Sequence, residues 1–297
     1  MNILIAGGTG FIGTAICAYL VKQGHSVVVK TRYVESANSN IKAISNFSQI
    51  AIDEKFDVAI NLAGEPIANK RWSKRQIRII LESRLDTTAQ FIAFFKESKF
   101  KPALFISSSA IGYYGIEDTD AVITEDSAGD ESFSSILCTR WEAAALKAEL
   151  LGIRTCILRT GIVLGKSGGA LAKMLPPFKL GFGGNIGSGK QWMSWIHLSD
   201  MIGIIDYCIK NESLKGPINC TAPNPVTNCF FTKALGQVLK RPTLLPLPAV
   251  VIKLLMGEMG KELLLSGRRI IPFKLNNSDF KFNYEHLEDA LLDVLKK

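Results

Sequence analysis

Apolar and polar positions along the first thirty residues change period twice. Asn2-Ile3-Leu4-Ile5-Ala6 is a short apolar run, as a buried strand would be. A glycine cluster follows, Gly7-Gly8-Thr9-Gly10-Phe11-Ile12-Gly13. Ile12, Ile16 and Leu20 then recur at helical spacing on one face, and Gly24 stands where that helix would end. Ser26-Val27-Val28-Val29-Lys30 is a second strand, so the segment predicts a strand–helix–strand crossover. Residues 33–55 are polar and weakly patterned, in the place where a third strand and helix would fit. Buried-strand runs return at Phe56-Asp57-Val58-Ala59-Ile60, at Ala103-Leu104-Phe105-Ile106 and at residues 154–159, the last ending in Thr160-Gly161. Helical stretches lie between them, from about Ser73 to Lys99 and from Ser135 to Leu150, separated from the strands in part by an acidic surface loop at 116–134. Alternating strands and helices predict an α/β fold, a doubly wound parallel sheet.

After residue 165 the rhythm loosens. Residues 165–196 hold ten glycines or prolines. The run from Leu180 to Gln191 is either an amide cradle for a second phosphate-bearing ligand or a flexible connector. Trp195-Ile196-His197-Leu198-Ser199-Asp200 opens a helix through Ile209, with Ser199 or Asp200 as its cap. From about Pro223 the chain reads as a small, mostly helical lobe broken by Pro242, Pro246 and Pro248, with a helical run from Val250 to Leu265. The expected division is a nucleotide-binding domain over 1–164, completed by about 198–222, and a substrate lobe over 165–297.

Composition narrows the function classes. Of 297 residues, 47% are apolar and 21% charged, which suits a globular protein and argues against disorder. Six scattered cysteines fit reduced thiols in the cytoplasm, not a disulfide framework or a metal site. The chain enters a strand at once, unlike a signal peptide, and no apolar run approaches a membrane span, so no membrane partner is expected. The net charge of +8 is spread along the chain without a basic tract interleaved with aromatics. That argues against nucleic acid and fits a small anionic ligand.

The candidate chemistry sits at strand ends. In the cluster Gly7, Thr9, Gly10, Phe11, Ile12 and Gly13, one glycine turns the chain, one lets amides approach a phosphate, and one lets the helix pack on the sheet. The helix N-terminus then faces the anion. At the end of the second strand, where a carboxylate would bind the ribose of NAD, the sequence has Thr31-Arg32. A guanidinium suits a 2′-phosphate, so NADP is expected over NAD. Asn61-Leu62-Ala63-Gly64 puts small residues at the next strand end, where a cofactor can lie against backbone. Ser107-Ser108-Ser109 offers hydroxyls to a reacting alcohol or carbonyl, the alternative being a serine-rich turn.

These residues resemble the extended short-chain dehydrogenase/reductases, the superfamily of sugar-nucleotide epimerases and dehydratases. Gly7-x-x-Gly10-x-x-Gly13, Asn61 to Gly64, the three serines followed by Tyr113-Tyr114-Gly115, and Trp195 to Asp200 stand in that family's order. Asn61 to Ile67, Arg140-Trp141-Glu142, Arg159-Thr160-Gly161, Met174 to Phe178 and Leu254 to Glu258 are similar to its "epimerase family protein" branch. The resemblance implies a Rossmann NAD(P)-binding fold and NADP contacts at the glycine loop, Thr31, Arg32, Leu62, Ala63, Gly64 and Arg84. It further implies a small-molecule substrate such as a nucleotide sugar. The oligomeric state stays open, a homodimer being one option. One departure stands out. Catalytic members carry Tyr-x-x-x-Lys, whose lysine lowers the tyrosine pKa. Here, Lys placed at Arg140 puts Ile136 at the tyrosine position, and Tyr placed at Cys138 puts Glu142 at the lysine position. Ser109 remains, with Tyr113 or Tyr114 supplied from the loop and Arg140 as an electrostatic helper. The expected function is an NADP-dependent oxidoreductase or epimerase. The alternative is an NADP(H)-binding sensor or scaffold without turnover.

Overall fold

The apolar runs assemble side by side into one sheet. The protein is described by a computed structural model covering residues 1–32, 41–117 and 119–296. Its strands are β1 (Asn2–Ala6), β2 (Ser26–Lys30), β3 (Lys42–Ile44), β4 (Val58–Asn61), β5 (Leu104–Ala110), β6 (Val122–Ile123), β7 (Arg154–Thr160), β8 (Ile162–Leu164), β9 (Trp192–Met193), β10 (Trp195–His197), β11 (Gly216–Cys220), β12 (Val226–Thr227) and β13 (Arg269–Ile270). The helices that bear on function are α1 (Phe11–Lys22), α2 (Lys74–Glu97), α3 (Phe133–Leu146), α4 (Gly169–Lys179), α5 (Leu198–Lys210), α6 (Asn228–Leu239) and α7 (Ala249–Met256).

Seven strands pair in the order β11-β7-β5-β4-β1-β2-β3, every pair parallel. Period-two alternation explains why both faces are covered. Ile3 and Ile5 of β1 pack with Ile16 and Leu20 of α1 and Met201 and Ile205 of α5. Leu4 and Ala6 pack on the opposite face with Phe91 and Phe95 of α2 and Ala145 of α3. Each fully buried Leu, Ile or Phe side chain contributes about 1.5–3 kcal/mol, so these two layers dominate the stability. Strand order reverses between β1 and β4, and the crevice at their carboxyl ends is the switch point where such sheets take ligands. A third core, around Trp195, Phe231, Leu235, Leu287 and Leu291, holds the C-terminal lobe together.

Several local expectations change. The third strand is Lys42–Ile44, while residues 33–40 of the weakly patterned stretch lie outside the described residues. β5 does not stop at Ile106: pairing with β7 runs on through Ser107, Ser108 and Ser109 to Ala110. The hydroxyls therefore sit on a rigid ladder and not in a turn. α5 is capped by His197, whose ring accepts the Ser199 amide. Asp200, fully buried, instead accepts both nitrogens of Asn283 and the Tyr284 amide, tying the C-terminal segment to α5. The 250–265 run breaks at Gly257, where φ is +61°. The glycine run at 180–191 is a strap and no amide cradle. Ile186 N donates to Asn228 Oδ1, Gly187 N to Leu247 O, and Gly189 N to Ile186 O. Among the described residues, no helix is long and apolar enough to cross a membrane.

Candidate functional site

The β1–α1 turn is shaped by what glycine omits. Gly7 has φ of +79°, and a Cβ there would lie 2.6 Å from the Leu62 carbonyl carbon. The exits of β1 and β4 thus touch through bare backbone. A Cβ on Gly13 would lie 2.0 Å from Gly7 O, so only glycine lets α1 start so close to the strand. No side chain caps α1 and no acid stands in its first turn. By contrast α2, α3 and α6 are capped by Ser73, Ser132 and Thr227. An uncapped helix start beside a glycine turn is the arrangement that receives a phosphate. Thr9 and Gly10 are exposed at the loop tip. Phe11 and Ile12 offer the site their backbone only. The Phe11 ring packs against Gly165, Gly168 and Gly169, and Ile12 packs on the core.

At the end of β2, Thr31 is buried and its amide donates to Ile44 O at 2.9 Å. Arg32 is exposed beside Lys30. Burial, then the charge of Arg32, pushes the Lys30 ammonium below its usual pKa. At the β4 exit, buried Asn61 donates to Thr88 Oγ1 and accepts the Ala63 amide, both at 3.1 Å, which fixes the turn through Leu62, Ala63 and Gly64. Arg84 of α2 lies over Gly64, where a Cβ would come within 3.1 Å of its Cζ. Its Nη1 donates to Glu65 O and Ile80 O, and its guanidinium sits 5.0 Å from the Trp141 ring. Burial lowers its pKa. Arg84 Nε is buried without a partner, a donor that a ligand acceptor at this wall would satisfy. The turn, the cations at the end of β2 and this unpartnered donor fit a phosphorylated dinucleotide laid across the strand tips.

The β5 end is built from buried side chains. Ser109 Oγ donates to Glu142 Oε1 at 2.6 Å. Arg159 of β7 grips the same carboxylate bidentately, Nε to Oε1 and Nη2 to Oε2, both 2.9 Å. Its Nη1 donates to Tyr114 Oη at 2.9 Å, and Tyr114 donates in turn to Asn219 Oδ1 at 2.6 Å. The Asn219 amide donates to Glu125 Oε1. Burial alone would lower the Arg159 pKa; the hydrogen bonds and charge of Glu142 reverse that and raise it. Burial pushes the Tyr114 phenol up to about 12. It pushes the Cys138 thiol up to about 11, partly offset by hydrogen bonds with Ser109 and the Ala110 backbone, so Cys138 stays protonated at neutral pH.

This geometry settles the register on α3 and corrects two expected residues. Cys138 and Glu142 face Ser109, whereas Ile136 and Arg140 are exposed. Arg140 is therefore no electrostatic helper; the cation of the site is Arg159, one strand away. Tyr114 is fully buried and held neutral, so it supports the network and cannot meet a substrate. Tyr113 is half-buried and lies flat on Arg159, whose Cζ is 3.4 Å from its ring centroid. The sequence reading assigned no role to Glu142, Arg159, Asn219 or Glu125. Arg159 carried a signal, since a charge directly after the apolar run Cys156-Ile157-Leu158 of a buried strand requires a partner. Among the described residues no group of three or more His, Cys, Asp or Glu is placed to hold a metal ion.

Comparison with known proteins adds to this geometry. The sequence model of the NAD dependent epimerase/dehydratase family matches residues 3–220, and that of a domain of unknown function, DUF1731, matches residues 247–294. The chain is 39% identical to Epimerase family protein YfhF of Bacillus subtilis, over 99% of this chain and 98% of that protein. The crystal structure of human epimerase family protein SDR39U1 (isoform 2) with NADPH superposes with a TM-score of 0.90 at 34% identity, covering 99% of both chains. A nucleoside-diphosphate sugar epimerase from Corynebacterium glutamicum superposes with a TM-score of 0.78 at 31% identity, over 99% of this chain and 58% of that one.

Proposed function

The chain belongs to the NAD dependent epimerase/dehydratase family, and from that premise we propose that it is an NADP(H)-dependent oxidoreductase or epimerase of a small, nucleotide-sugar-like substrate. In this reading the turn of Gly7, Thr9, Gly10, Phe11, Ile12 and Gly13 holds the pyrophosphate through the amides that remain once Gly10 N has bonded Gly7 O. Thr31 and Arg32 take the adenosine ribose and its 2′-phosphate. Leu62, Ala63 and Gly64 line the second ribose, with Arg84 behind them. The cations Lys30 and Arg32, with Thr31-Arg32 where a ribose-binding carboxylate would stand, support NADP over NAD, as does the NADPH in the human relative's structure. The Corynebacterium relative's name supports a nucleotide-sugar substrate. Free, mostly buried thiols support a reducing compartment such as the cytoplasm.

When bound, the nicotinamide supplies hydride exchange with a substrate carbon. The chain's own part is to bind and to handle a proton. The observation that carries this reading is the 2.6 Å bond from Ser109 Oγ to Glu142. Ser109 commits its single proton to that carboxylate, so its oxygen keeps only acceptor capacity. It therefore favours a substrate hydroxyl over a carbonyl. As the hydroxyl loses its proton, Ser109 accepts it while its own proton shifts to Glu142. Arg159 fixes the carboxylate during the transfer, and Tyr113, laid on Arg159, flanks the substrate. The test is to follow nicotinamide absorbance and product stereochemistry with NADP⁺ or NADPH and a broad panel of nucleotide sugars. Turnover that Ser109→Ala lowers by at least about a hundredfold is expected; silence across the panel would overturn the reading.

Cys138 in the register of a catalytic phenol favours a second reading, an NADP(H) sensor without turnover. NADPH binding together with trace turnover unchanged by Ser109→Ala and Tyr113→Phe would select it.

A further inference from the structure

A face of the C-terminal lobe has a composition that the proposed chemistry does not use. α7 is apolar at seven of its eight positions, yet only Ile252 is buried. Val250, Val251, Leu254 and Leu255 recur on its outer face, Val250 at 76% and Leu254 at 75% exposure. The segment before α7 extends this face with Leu244, 81% exposed, and with Leu245 and Leu247. It runs beside the 180–187 strap: Leu245 N donates to Gly183 O, Leu247 N to Asn185 O, and Gly187 N to Leu247 O. That pairing brings exposed Leu180 and Phe182 into the same face. Taking ~100 Å² for a fully exposed aliphatic side chain, the face offers on the order of 500 Å², near the upper end of what monomeric proteins expose.

Along the chain, the two segments that form it carry charge of one sign, with exposed Glu258 following α7. No Asp or Glu occurs between Glu149 and Asp200, or between Glu212 and Glu258, and those two segments supply the whole face. Lys253 stands on α7. Lys179 precedes Leu180 in the chain, and Arg241 Nε donates to its carbonyl. An open groove of about 460 Å³ begins at that corner, lined by Lys233, Gln237, Lys240, Arg241 and Thr243.

We propose that this face is a docking site for the surface of an anionic phospholipid bilayer. Apolar side chains of α7 and the strap enter the acyl boundary, and the groove at Lys240 and Arg241 takes phosphate headgroups. Buried apolar area and attraction to anionic lipid are the two terms that hold a protein on a membrane without spanning it. A second copy fits less well, because two-fold pairing would set the lysines and arginines of these two segments against each other. The apolar side chains also project where a shaped partner would need them to line a cleft, and a fluid layer accommodates projections.

The test is flotation of the full-length protein with vesicles of phosphatidylcholine alone or with about one-third phosphatidylglycerol. Binding to the anionic vesicles only, weakened by salt, is expected. Val250→Glu/Leu254→Glu should abolish it. Lys240→Ala/Arg241→Ala should weaken it about fivefold per charge removed. NADPH binding should be unchanged in both variants, which shows that they are folded and keeps this outcome separate from any failure of the proposed reaction. Absence of flotation, or flotation that neither variant alters, would overturn the proposal. So would a dimer in sedimentation that Leu254→Glu dissolves while vesicles go unbound, since a second copy would then cover the face.

Discussion

The two halves of the sheet's carboxyl edge are made from opposite materials. At β1, β2 and β4 the working surface is backbone: Gly7 and Gly13 leave no room for a Cβ, α1 starts without a cap, and Asn61 braces a turn of small residues. At β5, β7 and β11 the edge is a chain of buried polar side chains from Ser109 through Glu142, Arg159 and Tyr114 to Asn219. The first half recognises a ligand by what is missing and tolerates few substitutions. The second holds one hydroxyl in one orientation, and it does so with ions that are costly to bury. The first half fits a cofactor common to many proteins; the second is where this chain departs from the Tyr-x-x-x-Lys pattern.

The sharpest way to break the contrast is at the ion pair. Arg159→Met leaves the Glu142 carboxylate, only 5% exposed, without its partner. Urea unfolding should show a loss of about 3–5 kcal/mol, and the double variant Glu142→Leu/Arg159→Met should recover most of it. A mild single variant would mean that the network is wetter and looser than its geometry. On the backbone side, Gly13→Ala drives a methyl into Gly7 O. NADPH affinity, followed by fluorescence titration, should fall by about three hundredfold, ~3.4 kcal/mol, with unfolding changed far less than in Arg159→Met. Equal damage to both properties would erase the distinction between the halves.

Alkaline pH probes the side-chain half alone. The fold raises the Tyr114 phenol from an ordinary value near 10 to about 12, so it favours the neutral form. That stabilisation is complete below pH ~10 and disappears as pH rises through about 12, a loss on the order of 3 kcal/mol at most. Tyr114→Phe should lack this alkaline fall, measured as the difference between the two stability curves from pH 9 to 12. The smallest effect is at the rim of the backbone half. Arg32→Ala should reduce the preference for NADPH over NADH about tenfold, ~1.4 kcal/mol, in competitive binding. An unchanged preference would move the 2′-phosphate contact away from Arg32.

Legibility followed the same division. β1, the glycine turn, α1 and β2 could be read directly because strand period, helix period and glycine spacing act within about thirty residues. Serines on β5 were visible as chemistry, but their place on a ladder was not, because polar residues blur a strand's end when only apolar runs are counted. Sequence alone favours Arg140 over Arg159, because Arg140 stands in the helix expected to carry the catalytic pair. One helical turn decides which residues of that helix face the sheet, and local pattern left two registers open. The apolar face around α7 was likewise hidden from a search for long apolar runs. Its residues come from two short segments that only folding places side by side.

The sequence by itself determined the alternating strands and helices, the doubly wound sheet, and a glycine turn that only a close-approaching backbone would need. Tertiary structure alone decided that Glu142 and not Arg140 meets Ser109, that Arg159 is its counter-charge, and that Tyr114 is sealed away. The reason is range. Periodicity and glycine spacing report interactions between neighbours in the chain. A buried ion network joins Ser109, Glu142, Arg159 and Asn219 across four elements, and their partnership exists only once the layers have packed.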